Sequence, residues 1–593
     1  MAPPDTDEIG RSRSADSHAR GVSEVVGVVL LLGLVVVGTT VVVAFGGSSL
    51  QANERAIEIE HAEQSLTSLD SATSSVALGA ATTQRVDLGL AGTGGRLSVH
   101  TDRGYLRVEH VDIVNGTTTE ITNRSLGAVV YEDGQTELAY QGGGVWRRDG
   151  DSAVPVSRPE FHYTETTLTL PIVQFRATEH VHNDVTVTDG GPTLRSFPNA
   201  SAGFENKLSD AKIVVTVRSR YYDAWGQYFE RETDALVRYD HPGEEVTVTF
   251  LALPEVINPR NGIIATSGPG ELELFGTGAY IDSYNSSQGS YTVSNSSDGT
   301  VEAAGDVNLT GDANIRGDVR SGGYVGIRNS KAAIYGNVSW TDGYDDGKGT
   351  VTGTNTSING IEPIDPIDGY VYEQVDRIRS NNDNNATSLI SNNKLSGSGE
   401  LTSGTYYFEK LDVNGKTLAV NTTTGNVTIA VKKWVAINRT GGTDGNITVK
   451  GEGRVRLIVA GEDELTDSVT GTRNDADILI GKGSGTHIPN ETARRLQILA
   501  PRDTTILMGG SAGDPAVFDG VIYAPGGKTG TGLTYLKQGH LYGAVITGNL
   551  TLGQSGQVHF DKSLNDRPLP LSTRVSRLEY LHVATHRVNV SGQ

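Results

Sequence analysis

The sequence contains no cysteine, and several other residue types are scarce. The absence of Cys excludes disulfides, zinc–thiolate sites, iron–sulfur clusters and a cysteine nucleophile. Only 2 Met, 4 Trp and 11 Phe occur in 593 residues, which argues against a large helical core. Glycine is abundant, at 74 residues, without a collagen-like period. This composition predicts a mainly β chain with many tight turns, long enough for several domains.

Acidic residues outnumber basic residues, and among the basic residues Lys is rarer than Arg. Lys and Arg total 49 against 70 Asp and Glu, so the formal net charge is −21. A chain this acidic is repelled by phosphate backbones, so we expect no nucleic-acid partner. An acidic surface with little lysine is typical of proteins that work in concentrated salt, where screening removes the self-repulsion. We therefore expect a halophilic source.

The chain has one long hydrophobic run, at residues 25–45. It carries no charge and is long enough to cross a bilayer. Arg11, Arg13 and Arg20 precede it, so the positive-inside rule places the N-terminus in the cytoplasm and the rest outside the cell. A secretory signal peptide, a plain membrane anchor and a pilin-type signal are the three interpretations. The run exceeds the usual apolar region of a signal peptide, which favours a retained helix.

The residues just before this run resemble the class III signal of archaeal type IV pilins and pilin-like proteins, notably haloarchaeal ones. Arg20-Gly21 is followed by Val22-Ser23-Glu24 and then by the apolar run. The resemblance implies that a prepilin peptidase cuts between Gly21 and Val22, and that the apolar helix is retained for anchoring or for assembly with other pilins. Glu24 would then pair with the new α-amine of Val22, in the same or a neighbouring chain. The alternative is that Glu24 lies among lipid headgroups.

The helix is expected to continue beyond the membrane. Residues 51–76 contain no Pro or Gly and carry an apolar stripe at helical spacing: Ile59, Ala62, Leu66, Leu69 and Ala72. From residue 85 to 250, short alternating strands with Gly, Asn and Asp turns follow. The segments Leu126-Gly-Ala-Val-Val-Tyr and Tyr140-Gln-Gly-Gly-Gly-Val-Trp146 make residues 80–250 similar to a haloarchaeal pilin-like β head, which implies a β-sandwich-like domain. We expect its aromatic residues, such as Trp146 and Trp225, to pack in the core.

A six-residue repeat appears after Pro254. Gly305-Asp-Val-Asn-Leu-Thr, Gly311-Asp-Ala-Asn-Ile-Arg and Gly317-Asp-Val-Arg place Gly at corners and aliphatic residues at matching positions. Three such sides form one coil of a β-solenoid, also called a β-helix, so Leu309 and Ile315 should point inward. The repeat resembles bactofilin-like β-helix proteins. Residues 518–564 resemble the end of pilus-associated β-helix proteins.

These observations divide the chain into five parts. We predict a prepilin-type leader at 1–21, a transmembrane and stalk helix at 22–78, and a pilin-like β head at 79–252. A β-solenoid follows at 253–565, interrupted near 363–395 by a short helix and a loop, and residues 566–593 form a tail. This tail is expected to dock on the solenoid or to end as an exposed strand.

The sequence offers few candidates for chemistry. His180 with His182, and His582 with His586, could each supply two metal ligands, but neither pair brings a third. The acidic turn at 342–346 could hold Ca²⁺, although an exposed turn explains it as well. The glycine-rich segment 520–530 lacks the spacing of a phosphate-binding loop. We therefore expect no metal, no cofactor and no catalytic residues.

Asn-X-Ser/Thr sequons are dense: 16 of the 32 Asn residues begin one. In an exported chain they mark candidate N-glycosylation sites, although Asn-Thr pairs also suit β turns. The sites include Asn115, Asn123, Asn285, Asn295, Asn308, Asn337, Asn421, Asn438 and Asn446.

Together these features predict an exported, membrane-anchored, pilin-like glycoprotein of the cell surface. Its solenoid would serve structure or adhesion without enzymatic activity. One alternative is a β-helix enzyme acting on extracellular polysaccharide, which would need carboxylates converging in a groove. The other is a solitary membrane-anchored envelope protein that never enters a filament.

Overall fold

The computed structural model describes most of the chain. It covers residues 21–90, 93–113, 116–164, 166–177, 183–208, 211–233, 235–252, 262–266, 270–463, 465–466, 475–527, 529–565 and 578–592. Within the first helix, the side chains of 21–28, 38 and 40–52 are outside this description. The described part is mainly β, as the composition predicts.

The N-terminal part consists of a long helix and a head of antiparallel strands. The helix is α1 (Gly21–Ala77). The head carries a second helix, α2 (Tyr222–Glu232). Its strands are β1 (Thr83–Asp87), β2 (Arg96–His100), β3 (Tyr105–Asp112), β4 (Thr118–Ser125), β5 (Ala128–Asp133), β6 (Thr136–Gln141), β7 (Gly144–Asp149), β8 (Ser152–Ser157), β9 (His162–Thr164), β10 (Thr167–Ala177), β11 (Asp184–Asp189), β12 (Leu194–Phe197), β13 (Ala211–Arg218), β14 (Leu236–Asp240) and β15 (Glu245–Leu251).

Parallel strands follow and wind into a coil, whose first half ends at residue 357. A one-turn helix, α3 (Tyr291–Ser294), is inserted in it. The strands of this half are β16 (Ile263–Ala265), β17 (Leu272–Leu274), β18 (Tyr280–Tyr284), β19 (Val301–Ala303), β20 (Val307–Leu309), β21 (Asn314–Ile315), β22 (Val319–Ser321), β23 (Tyr324–Ile327), β24 (Ala333–Ile334), β25 (Val338–Trp340), β26 (Gly343–Asp345), β27 (Thr350–Val351) and β28 (Asn355–Ser357).

A crossover then leads to the second half of the coil. It contains α4 (Asp368–Ser380) and a hairpin of β29 (Ile390–Ser391) and β30 (Lys394–Leu395). The second half comprises β31 (Gly399–Leu401), β32 (Gly404–Phe408), β33 (Leu411–Asp412), β34 (Thr417–Asn421), β35 (Val427–Val431), β36 (Val435–Ile437), β37 (Asn446–Lys450), β38 (Val455–Val459), β39 (Leu465–Thr466), β40 (Asp475–Ala476), β41 (Ile478–Ile480), β42 (Gly485–His487), β43 (Leu496–Leu499), β44 (Thr505–Gly509), β45 (Ala516–Ala524), β46 (Leu533–Lys537), β47 (Gly539–Thr547), β48 (Asn549–Leu552) and β49 (Gln557–Asp561).

The six-residue repeat sets the geometry of the coil. Val301 pairs in parallel with Val319, and Val307 with Val325, so one turn of the coil takes three repeats. The aliphatic positions of the repeat, including Leu309 and Ile315, are fully buried, which confirms their predicted inward direction. At the corner, Gly311 has a φ of +65°, and a Cβ there would collide with the carbonyl of Gly276 in the next turn.

The two halves do not stack in chain order. One side of the coil is a ten-stranded sheet in the order β26-β23-β20-β17-β48-β46-β44-β41-β36-β33. The first turn, β16 to β18, therefore lies in the middle and pairs with the last turn, β47 to β49. We call this parallel pairing the seam. The chain starts at the seam, grows to one end, crosses over, and grows from the other end back to the seam.

Another side of the second half is covered on both faces. Its strands are mostly apolar, such as Val427–Val431 and Val455–Val459 with Thr428 and Arg456 as their polar residues, because one face fills the coil and the other meets α4. The first residue of α4, Asp368, forms a buried ion pair with Arg502, with Arg502 Nε 2.5 Å from Asp368 Oδ2. This contact ties the crossover to the second half.

The C-terminal strand, β50 (Tyr580–Gly592), returns to the head. It pairs in parallel with the whole of β10 and antiparallel with β11. It therefore occupies the interior of the sheet β1-β11-β50-β10-β9. The prediction that the C-terminal segment docks on the solenoid or ends as an exposed strand is therefore wrong. Leu581, Val583, Val588 and Val590 are fully buried in the head, and this burial explains the placement.

The inward repeat positions predict a contrast between neighbouring substitutions in the full chain. Leu309→Ala should lower the free energy of unfolding by about 2–5 kcal/mol, because it opens a cavity in the coil. Asn308→Ser, at a half-buried outward position, should change it by about 0.5 kcal/mol or less. Denaturant unfolding of both variants measures the difference. Equal small losses would contradict the assignment of Leu309 to the coil interior.

Candidate functional site

The first candidate surface is the N-terminal part of α1. Its large apolar side chains at Val29, Leu30, Leu31, Leu32, Leu34, Val35, Val36 and Val37 are each 53–74% exposed. The hydroxyl of Thr39 donates a hydrogen bond within the helix, to the carbonyl oxygen of Val35 (2.7 Å). An exposed apolar surface of this kind indicates contact with an apolar partner outside the chain.

The predicted processing and assembly residues lie at the start of this helix. Gly21, Val22 and Glu24 belong to its first turn, whose side chains are not described, and Arg20 lies outside the described residues. Among the described residues, no helix combines the length and the apolar content required to cross a bilayer.

The C-terminal part of α1 is fixed on the head. Ile59, Ala62, Leu66 and Leu69 are buried against the head strands, as the stripe predicts. Two ion pairs flank this contact: Arg55 Nε lies 2.9 Å from Asp133 Oδ2, and Glu63 Oε1 lies 3.0 Å from Arg147. The head therefore covers the C-terminal part of α1 and leaves the large apolar side chains at 29–37 exposed.

A buried carboxyl group lies within this helix–head contact. Asp70 is 6% exposed, and its Oδ2 accepts a hydrogen bond from Ser157 Oγ. Its Oδ1 has no hydrogen-bond partner among the described residues. Burial raises the pKa of Asp70 to about 7, against the lowering effect of the Ser157 hydrogen bond, and Glu160 adds a smaller increase. The site therefore keeps part of the Asp70 population protonated near neutral pH, where an ordinary Asp is ionised.

The second candidate is a polar cavity of about 490 Å³ beside the seam, which we call the junction pocket. Three short segments form it: the chain after β18, the 3₁₀ turns between β42 and β43, and the turn after β49. Its lining residues are Asn285, Ser286, Ser287, Asn490, Thr492, Arg494, Arg495, Lys562 and Ser563.

Asp561, the last residue of β49, holds these three segments together. Its Oδ1 accepts hydrogen bonds from the backbone N–H groups of Ser286 (3.0 Å) and Ser563 (3.0 Å). Its Oδ2 accepts from Ser286 Oγ (2.6 Å) and from the N–H of Ala493 (3.3 Å). The carboxylate is fully buried, so these four bonds compensate its loss of water.

The seam beside the pocket carries a buried Asp–His pair. Asp282 Oδ1 lies 2.6 Å from His559 Nδ1 across the seam, and Tyr291 OH donates to Asp282 Oδ2 (2.8 Å). The Tyr291 ring also covers the imidazole of His559, with 4.0 Å between centroids. The backbone N–H of Tyr291 donates to Glu491 Oε2 (2.9 Å), which joins α3 to the turns of the second half.

Three cations face the junction pocket. Lys562 is paired with Asp298, with 2.6 Å between Nζ and Oδ2, and Arg495 is paired with Glu452. Arg494 contacts no carboxylate among the described residues. Arg495 is only 8% exposed, and its Nε has no hydrogen-bond partner in that part of the chain. No lining residue is acidic, in contrast to the net charge of −21.

A third candidate is a groove of about 420 Å³ on the ten-stranded side of the coil. The rings of Phe275 and Tyr535 stack there, 6.4 Å apart, and Glu271 and Glu273 line the same groove. Residues two apart along a strand share a face, so both carboxylates point outward. Both are exposed, whereas the acid of a glycosidase pair needs an apolar environment.

The other sequence candidates remain apart from these sites. His582 and His586 line a cavity of the head with His162, and His180 and His182 lie outside the described residues. The acidic turn at 342–346 is at an exposed end of the coil. No group of three metal-ligating side chains occurs in the described part.

The sequon residues are accessible where they are described. Asn123, Asn295 and Asn337 are exposed, and Asn285, Asn308, Asn421, Asn438 and Asn446 are half-buried. Asn115 lies outside the described residues. Asn285 and Asn490, which also begins a sequon, line the junction pocket.

Comparison with known proteins gives two matches of unknown function. Residues 20–257 match the family of unknown function DUF7289, and residues 350–567 match the domain of unknown function DUF7305. The first match spans α1 and most of the head, and the second spans the crossover and the second half of the coil. No curated protein and no solved structure matches the chain.

The sequence analysis did not identify Asp70, Asp561 or the pocket cations. Asp70 could have been found, because it lies four residues after Leu66 on the apolar stripe. Arg494 and Lys562 share no local pattern. Only the folding of the coil brings them to one cavity.

The raised pKa of Asp70 predicts a pH-dependent stability. The folded state binds a proton that the unfolded state releases between about pH 4 and 7, so stability should fall as pH rises through that range. Asp70→Asn removes the charge and should flatten this dependence. Asp151→Asn, at an exposed residue, is the matched control. Melting temperatures from pH 5 to 8 in detergent test this. Equal slopes for Asp70→Asn and the wild type would contradict it.

Proposed function

We propose that this chain is an exported, membrane-anchored, pilin-like protein of the cell surface, in which a β-sandwich-like head carries a β-solenoid. It would be a structural or adhesive component of a type IV pilus-like appendage or of the cell envelope. Residues 1–21 are the cytoplasmic leader, residues 25–45 span the membrane, and the remainder is extracellular. A prepilin peptidase removes the leader after Gly21.

The single observation that carries this proposal is the division of α1. One half packs on the head, and the other presents uncovered apolar side chains at 29–37. Such a helix suits a protein that assembles from the membrane. Lipid would surround the apolar part of the helix before assembly, and neighbouring helices would pack on it afterwards. The uncharged run at 25–45 and the Arg20-Gly21 junction support the same reading. In an assembled filament, Glu24 would pair with the α-amine of Val22.

The size of the exposed part bears on its place in a filament. More than 500 residues follow α1, and they are too bulky to repeat densely along a thin helical core. The protein would therefore be a minor or tip component. If it assembles with no other pilin, the same anchor makes it a solitary envelope protein.

The groove with Glu271 and Glu273 is where the alternative, an enzyme acting on extracellular polysaccharide, would have its site. Both carboxylates are exposed, so neither has the apolar environment that the acid of a glycosidase pair needs, and the groove does not favour this alternative. Release of reducing ends from an extracellular polysaccharide, abolished by Glu273→Gln, would favour it.

The proposed processing predicts the mature N-terminus. The membrane-associated protein from its native cell should begin at Val22, as determined by mass spectrometry of its N-terminal peptide. Gly21→Val places a branched side chain at the cleavage junction and should retain residues 1–21. Gly27→Val, inside the apolar run, is the matched control and should be processed normally.

Two results would contradict the assignment. A wild-type protein that keeps residues 1–21 is a plain anchor. A mature N-terminus beyond residue 45, with the protein released from membranes, indicates a secretory signal peptide.

A further inference from the structure

We propose that the junction pocket binds an acidic saccharide, a uronate or sulfated sugar, through Arg494, Arg495 and Lys562. This inference names a ligand class for the proposed adhesive function. It rests on that proposed function in one respect, that the coil lies outside the cell. Cavities of a few hundred Å³ are the usual size for small-ligand sites, and this one measures about 490 Å³.

The charge of the pocket is opposite to that of the chain. Glu452 and Asp298, which pair with Arg495 and Lys562, are not among its lining residues. Asp561 lies behind the wall, and four hydrogen-bond donors occupy its oxygens. The cavity thus presents cations to a ligand from a molecule that otherwise repels anions.

Arg494 is the pocket cation that is left for an anion. Lys562 and Arg495 are ion-paired with Asp298 and Glu452, whereas Arg494 contacts no carboxylate in the described part of the chain. The buried Nε of Arg495 is closed to solvent, so Arg495 contributes positive charge to the wall of the pocket. A carboxylate or sulfate group matches the planar fork of guanidinium donors.

The rest of the lining suits a sugar better than a bare anion. Ser286 Oγ donates to Asp561, and Ser287 Oγ donates to Asn285 Oδ1 (2.6 Å). Ser287 Oγ can still accept hydrogen bonds from a ligand, and Ser286 Oγ, which also accepts from Ser563 Oγ (2.9 Å), keeps one lone pair for it. The amide of Asn490 adds a further donor and acceptor at the rim. Such groups recognise the hydroxyls of a saccharide ring while the cations hold its acidic group.

The binding test uses the full chain in detergent, produced in a host without N-glycosylation so that Asn285 and Asn490 leave the pocket open. Isothermal titration with digalacturonate should show binding, whereas neutral cellobiose should not bind and sodium sulfate should bind much more weakly. Arg494→Gln should weaken digalacturonate binding about tenfold or more. Lys562→Gln should weaken it too, and Arg320→Gln, on the first half of the coil, should not. Unchanged melting temperatures verify folding.

Three results would overturn the proposal: no digalacturonate binding, equal affinity for sulfate, or an affinity that Arg494→Gln and Lys562→Gln leave unchanged. Equal affinity for sulfate would indicate a simple anion site. The outcome is independent of processing at Gly21, so failure of the membrane-anchor proposal and failure of the pocket proposal are separable.

Discussion

The seam is the interaction on which the architecture depends. Parallel pairing joins the first turn of the coil to the last, between residues such as Asp282 and His559 that are 277 apart in the chain. Without it, the coil would be two shorter stacks, each with an open edge of unpaired backbone groups. With it, the two halves share one continuous apolar core. The buried Asp282–His559 pair and the contacts of Asp561 reinforce the closure on the outer face.

The seam also determines where the head is attached. The chain enters the coil at β16 and leaves it after β49, and these strands belong to neighbouring positions at the seam. The returning chain then supplies β50 to the interior of a head sheet, beside the strands on which α1 packs. The chain therefore connects the head to the middle of the coil twice. It does so once where it enters β16 and once where it returns from β49 to β50. The junction pocket is built at the same place, from segments on both sides of the seam.

The local pattern of the sequence predicted the parts that depend on local periodicity. The apolar stripe of α1 and the inward positions Leu309 and Ile315 both follow from spacing. The order of the turns does not, because every turn presents a similar inward pattern and could stack on any other. For the same reason the place of β50 was missed: its alternation predicts a strand but not its partner. Arg494 and Lys562 line one pocket because of this stacking order, which the local sequence pattern does not show.

These features fit a surface protein whose rigid part projects from a helix-anchored head. Each turn of the coil buries its aliphatic residues against its neighbours. As proposed, the junction pocket offers its cations to an acidic ligand on a chain that is acidic overall. Under the same proposal, α1 attaches the protein, the head displays the coil, and the pocket beside the seam binds the ligand.

Engineered cysteine pairs test the seam most directly, since the chain has no Cys of its own. Glu273 and Thr551 are direct partners in parallel strands, so Glu273→Cys with Thr551→Cys should form an intramolecular disulfide on mild oxidation. Stacking in chain order would instead bring Asp345 close to Asp412, which the seam places at opposite ends of the ten-stranded sheet. Non-reducing peptide mapping should find the 273/551 cross-link and no 345/412 cross-link in the corresponding double variant. The opposite result would contradict the seam and the arrangement derived from it.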